Sequence, residues 1–181
     1  MQYLPALLVT VAVIALLLAL MGLGWRNRLR RQAGVAAPPE VPTVLGAPLA
    51  VADGQYICTT TAGDWLDRIA THSLGLRTGA VLEIVDQGAV LRRSGASDLF
   101  IPAAALTGVR LESGMAGKFV EKDGLLVIGW TLGGQGVDTG FRPRHHADRS
   151  ALVAALNGIL PASAGTTNHP AHHTAAKKEN Q

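Results

Sequence analysis

Asp138-Thr139-Gly140, inside "DTGFR", has the residue order of an aspartic-protease half-site. That chemistry needs two carboxylates sharing one proton, so a dimer would have to supply the second. The flanking apolar pattern is missing, and Phe141 and Arg142 put bulk and charge where a small residue is wanted. Cys58 is the single cysteine and forms no intramolecular disulfide. Within "YICTTT" it reads as a small thiol buried on a strand, with no base in view. His145 and His146 are adjacent, so on a strand their side chains diverge and share a metal poorly. They read as a polar turn. His169, His172 and His173 have the composition of a loose zinc or nickel tract, but without acidic or cysteine ligands they read as a solvated tail. "LGGQG" lacks the Lys and Ser/Thr of a phosphate-cradling loop and precedes no helix, which makes it a hairpin turn. No GxSxG or nucleophile–base pair is present. The expectation is a non-enzyme with no catalytic residue, no metal and no cofactor.

"GDWLDR" is less easily absorbed by packing. Asp64 and Asp67 have the types to cap a helix and pair with Arg68, which is a structural role. In the other reading Trp65, flanked by charges on a loop, anchors a partner protein, because Trp and Arg dominate binding energy where an interface buries them. Asp64, Trp65, Asp67 and Arg68 are therefore the candidate partner-binding residues. Nucleic acid is excluded as the partner. The chain carries a net charge of +3, but from Gly54 to Leu160 ten acids balance ten bases. A duplex binder needs a basic face that displaces counterions.

The elements that must position these residues begin with an oily run. Leu4 to Leu23 holds no charge and little polar beyond Thr10, about the length that crosses a hydrocarbon core of roughly 30 Å. Pro5 falls in the first turn, where its missing N–H costs little. Tyr3 and Trp25 bracket the run as interfacial rings do, and Arg26, Arg28, Arg30 and Arg31 follow it at once. A cleaved signal would carry its charge before the apolar region. The order here predicts a single-pass transmembrane helix over 4–24, with the N-terminus out and the domain in the cytoplasm. The arginines would meet anionic lipid of the inner leaflet, each worth roughly 1 kcal/mol. Residues 25–53 read as a basic juxtamembrane segment and a Pro-rich linker, 54–160 as the folded domain, and 161–181 as a disordered tail.

Inside the domain, short β-like runs alternate with glycine-bearing turns. "QYICTTT" (55–61), "AVLEIVD" (80–86), "AVLRRS" (89–94), "VRLES" (109–113), "LLVIGWTL" (125–132) and "VDTGFRPR" (137–144) are predicted strands, with "QG" turning one hairpin. "LLVIGWTL", apolar on both sides, reads as a central strand. "DWLDRIATHS" suits either a helical face or a strand. "FIPAAALTGV" ends a strand at Ile101 and opens a helical turn at Pro102. A helix is predicted over 148–160, with Asp148 or Ser150 as N-cap, an apolar stripe at Leu152, Ala155, Leu156, Ile159 and Leu160, and Pro161 as its stop. The fold class is mainly β with one C-terminal helix closing a small barrel or sandwich.

The succession of hairpins around "DLFIPAAALTGVRLE" resembles bacterial pleckstrin-homology-like (PH-like) domains. The resemblance implies seven strands in two near-orthogonal sheets capped by the 148–160 helix. "TTAGDWLDRI", "AGKFV", "GLLVIGW" and "DTGFR" are similar to an actinobacterial group of small single-pass membrane proteins with such a domain, often labelled as membrane, export or transporter-like proteins. Lipid-binding members of the wider superfamily hold an inositol phosphate with a basic loop after the first strand. The matching stretch here, "TTAGDWLDR", sets Asp64 and Asp67 against one Arg68, and the capping helix lacks its Trp. Phosphoinositide is therefore not an expected partner. The expected function is a membrane-anchored cytoplasmic adaptor that presents a protein- or peptide-binding surface at the inner leaflet. The alternative is an accessory or small-molecule-sensing subunit of a transport system.

Overall fold

A hydrophobic helix precedes a β-rich unit in the computed structural model, which describes residues 4–31, 34–115, 118–119 and 123–162. Helix α1 (Leu4–Arg31) runs past the oily segment to the end of the arginine cluster. Its side chains are described at Leu8, at residues 10–24 and at Arg26, and all of these are exposed. Among the described residues no helix is long and apolar enough to cross a membrane. The continuous stretch with described side chains, 10–24, rises roughly 22 Å at ~1.5 Å per residue. The stretch expected to be a disordered tail, 161–181, lies almost wholly outside the described residues, which end at 162.

The strands are β1 (Ala50–Thr61), β2 (Asp64–Arg68), β3 (Thr78–Val85), β4 (Gly88–Arg93), β5 (Leu99–Pro102), β6 (Leu106–Glu112), β7 (Gly114–Met115), β8 (Lys118–Phe119), β9 (Leu125–Leu132) and β10 (Gln135–Pro143). Helix α2 (Asp148–Ile159) follows them. The main sheet runs β5-β4-β3-β1-β10-β9-β6, with β2 attached to β1 and β7-β8 forming a separate ribbon. It is one continuous antiparallel path. Strand β1 bridges its two halves because its first part pairs with β3 and its second part with β10.

Strand β1 starts at Ala50, inside the stretch expected to be linker. Pairing with β3 draws it in, and the small residues there hide the alternation of buried Ala52 between exposed Val51 and Asp53. The β3–β4 turn is Asp86-Gln87, since Val85 pairs with Gly88, so "QG" is displaced by one residue. Strand β9 matches the predicted central strand and is buried along nearly its whole length. The β9–β10 turn is Gly133-Gly134, with φ of 57° and 87°. Both lie in the left-handed region that two-residue hairpins favour and that glycine adopts without a Cβ penalty. Pro102 precedes one 3-10 turn, Ala103–Ala105, as expected.

Neither Asp148 nor Ser150 caps α2. Ala147 occupies that position without a side-chain bond. The preceding turn supplies acceptors instead, because Asp148 N and Arg149 N donate to the carbonyls of His145 and His146 at 3.3 Å. The helix lays Leu152 and Leu156 into the main core, beside Tyr56, Leu82, Ile128, Trp130 and Phe141.

A polar thread crosses that core. Trp130 Nε1–H donates to Thr139 Oγ1 at 2.9 Å, Thr139 and Thr59 hydroxyls meet at 2.8 Å, Thr59 meets Tyr56 at 2.8 Å, and Tyr56 O–H donates to Leu74 O at 2.6 Å. Each hydroxyl has one proton. Tyr56 gives its proton to Leu74, so Thr59 must donate to Tyr56 and Thr139 to Thr59. The thread runs one way.

On the other face, a bulge between Tyr56 and Cys58 sets Ile57 and Cys58 in one cluster with Met115, Leu125 and Val127. Gly140 leaves the space that the Met115 sulfur fills, since a Cβ there would lie 2.5 Å from it.

Candidate functional site

The tip between β1 and β2 follows from a tight turn. Thr61 pairs with Asp64 across Ala62-Gly63, and Gly63 has φ of 79°. Asp64 Oδ1 accepts from Leu66 N at 3.1 Å and from Asp67 N at 3.2 Å, while Asp67 Oδ2 accepts from Thr61 Oγ1 at 2.8 Å. Both carboxylates thus serve the turn of a short strand, and neither caps a helix. Arg68 directs Nη1 to Gly75 O at 3.4 Å and also lies beside Cys58. Two apolar side chains are left projecting: Trp65 is 47% exposed and Leu66 60%. The donors of Leu66 and Asp67 are already engaged by Asp64, so recognition here falls to side chains rather than to the strand edge.

Two other segments meet the sheet at this end. Ala62 N donates to Gly136 O at 3.0 Å, which ties the tip to the β9–β10 hairpin. The chain arriving from α1 rests on the same hairpin. A Cβ on Gly133 would lie 2.4 Å from that of Ala36, and Val35 and Ala36 pack against the main core. His72 Nε2 lies 3.1 Å from Val35 O. A carbonyl only accepts, so this contact selects the Nε2–H tautomer. Further along, Gly46 N donates to Gln87 Oε1 at 3.2 Å and Leu49 N to Ile84 O at 2.7 Å. The stretch from 35 to 49 is therefore a strap on the domain. Sequence reasoning missed His72 because its partner is a main-chain carbonyl 37 positions away.

The remaining candidates are held in structural roles. Asp138 is buried on the face opposite the polar thread, and Arg110 grips it with two bonds of 3.0 and 2.8 Å. Arg110 also pairs with Glu112 at 3.0 Å, and Asp138 followed by Glu112 keeps its guanidinium charged beyond its ordinary range. The carboxylate of the "DTG" string is thereby committed to an ion pair, and Thr139 faces the core. Burial pushes the Cys58 thiol up from its ordinary pKa, with Arg68 partly opposing, so it is a poor nucleophile. His145 and His146 sit in an exposed turn, as expected. Among the described residues no three His, Cys, Asp or Glu side chains come together as metal ligands. Arg26 is exposed, whereas Tyr3 and the side chains of Trp25, Arg28, Arg30 and Arg31 lie outside the described residues, as do His169, His172 and His173.

A family model described as bacterial PH domain-like matches residues 35–157, which takes in the strap, every strand and most of α2. No curated protein matches the chain. Among solved structures, a chain of "The 8S snRNP Assembly Intermediate" is similar at 10% identity with a TM-score of 0.43, covering 81% of this chain and 96% of that one. A chain of "Vav1 inhibited by an allosteric inhibitor: Vav1 inhibitors block GEF activity" is similar at 14% identity with a TM-score of 0.40, and the match covers 75% of this chain and 33% of that one.

Proposed function

The chain belongs to the bacterial PH domain-like family, and on that premise we propose that it is a membrane-anchored adaptor whose domain binds a protein partner at the inner leaflet. PH-like domains are generally non-catalytic binding modules, and the candidate chemical groups here are engaged in folding. The observation that carries the anchoring is the surface of α1. Leu8, Val11, Val13, Ile14, Leu16, Leu17, Leu18, Leu20, Met21 and Leu23 are all exposed, with nothing from the domain packed on them. A helix that is apolar all round needs an apolar environment, and a contiguous patch of that kind on a water-facing surface is rare. Arg26 and the arginines after it favour the cytoplasmic side for the domain.

Trp65 and Leu66 are the proposed contact. Their exposure sits on a tip whose polar groups are already satisfied, so burying them against a partner costs little desolvation. Gentle solubilisation of native membranes followed by co-purification should retrieve a reproducible partner with the wild-type chain and lose it with Trp65→Ala. Equal recovery by both chains would remove the tip from the reading. A reporter fused after Gln181 should be active in the cytoplasm, and activity only outside the cell would overturn the topology.

A further inference from the structure

The contact tip shares its end of the sheet with the point where the chain arrives from α1, and this bears on what kind of partner it meets. Arg31 ends α1, and Gly34 is at most about 11 Å away at ~3.8 Å per Cα step. The next two residues are already fixed, Val35 by His72 and Ala36 by the close approach to Gly133. From Gly133 the hairpin turn and the first residues of β10 lead to Gly136, at most about 11 Å away at ~3.8 Å per Cα step. Its carbonyl holds Ala62 at 3.0 Å, three positions before Trp65. With the spans 34–36 and 62–65 added, the tip is held within roughly 50 Å of the end of α1 by short spans of chain and hydrogen bonds.

Resting on the reading that α1 lies in the bilayer, we infer that the Trp65–Leu66 tip takes the basic cytoplasmic juxtamembrane segment of another membrane-spanning protein. The chemistry of the tip selects this occupant. Exposed Trp65 and Leu66 offer apolar contact, and the exposed carboxylates of Asp64 and Asp67 flank them. An anionic leaflet repels carboxylates, so headgroups alone make a poor ligand. Cytoplasmic segments next to membrane spans are enriched in Lys and Arg, which complement those carboxylates while an apolar residue between them meets Trp65. The strap makes this a matter of placement as well as charge. It keeps the tip near the leaflet, where such a segment is locally concentrated and a freely diffusing protein is not.

The test uses the full-length chain with a photoreactive phenylalanine analogue at position 65, reconstituted in phosphatidylcholine vesicles. Each vesicle sample also holds a synthetic single-span peptide whose cytoplasmic flank alternates Leu with either Lys or Glu. The Lys-flanked peptide is expected to be labelled several-fold more than the Glu-flanked one. Asp67→Asn, which keeps the acceptor for Thr61, should lower that labelling about two- to fivefold, the effect of one solvated charge pair. A long Gly-Ser insertion after Ala33 should lower it roughly tenfold by diluting the tip away from the leaflet. Emission from buried Trp130 monitors the fold in every variant. Equal labelling of both peptides, labelling of lipid in their place, no labelling, or an insertion without effect would each overturn the inference. Loss of the chain from vesicles in alkaline carbonate would instead overturn the anchoring beneath it. Retention without flank selectivity sinks the partner class alone.

Discussion

Trp65 is held by so little of the fold that its removal should be nearly silent in a melting experiment. Trp65→Ala is expected to change stability by no more than about 0.5 kcal/mol, as exposed substitutions do, while abolishing partner recovery. A large loss of stability would mean the ring is structural. Asp138 is the opposite case. Arg110 reaches it across β9 above Gly129, the position paired with Asp138 in the ladder. Arg110→Ala leaves that carboxylate buried without its cation and should cost about 1–3 kcal/mol in urea unfolding. Adding Asp138→Asn should recover part of the loss. The exposed Trp and the acids beside it were legible in the sequence, because "GDWLDR" sets charges on both sides of the ring. The Arg110–Asp138 pair was not. Its members stand 28 positions apart on strands that do not touch, and only the register of β6, β9 and β10 brings them together.

Among the elements, β1, β9 and β10 share the polar thread, and its loss should be felt by all three. Thr139→Val strands the Trp130 N–H and removes the donor to Thr59, at an expected cost of about 1–3 kcal/mol. Burial also raises the Tyr56 pKa above its ordinary 10.0, with Thr59 and Arg93 partly opposing. A phenol harder to ionise in the folded state stabilises the fold below that pH and withdraws the contribution as the pH rises past it. The melting temperature should therefore fall as pH climbs above 10, and less steeply for Tyr56→Phe, measured relative to each chain's own value at neutral pH. Most strands were legible from alternation and turn glycines, and α2 from its apolar stripe. The helix cap was not, because carbonyls of the His145-His146 turn do what a side chain was expected to do. The start of β1 was hidden by Ala and Gly, whose small side chains carry little alternation.

At the scale of the whole molecule, an apolar helix and a PH-like unit are joined by a segment that folds with the domain. Gly133→Val puts a branched side chain where Ala36 rests and where φ is 57°, so it should cost about 1–2 kcal/mol through the left-handed backbone alone. It should also free residues 35–49 to proteolysis at temperatures where the wild-type strap resists. Composition could place this stretch only as a Pro-rich connector. Its attachment depends on Gly133, Gln87, Ile84 and His72, which no local pattern links to it. The polar thread has a last consequence. Its file of donors starts at an indole that only donates and ends on a carbonyl that only accepts, with every member sealed from water, so no link can reverse. The hydroxyl hydrogens of Thr59, Thr139 and Tyr56 should therefore exchange with solvent slowly enough to give separate proton resonances, signals that surface hydroxyls lose to averaging.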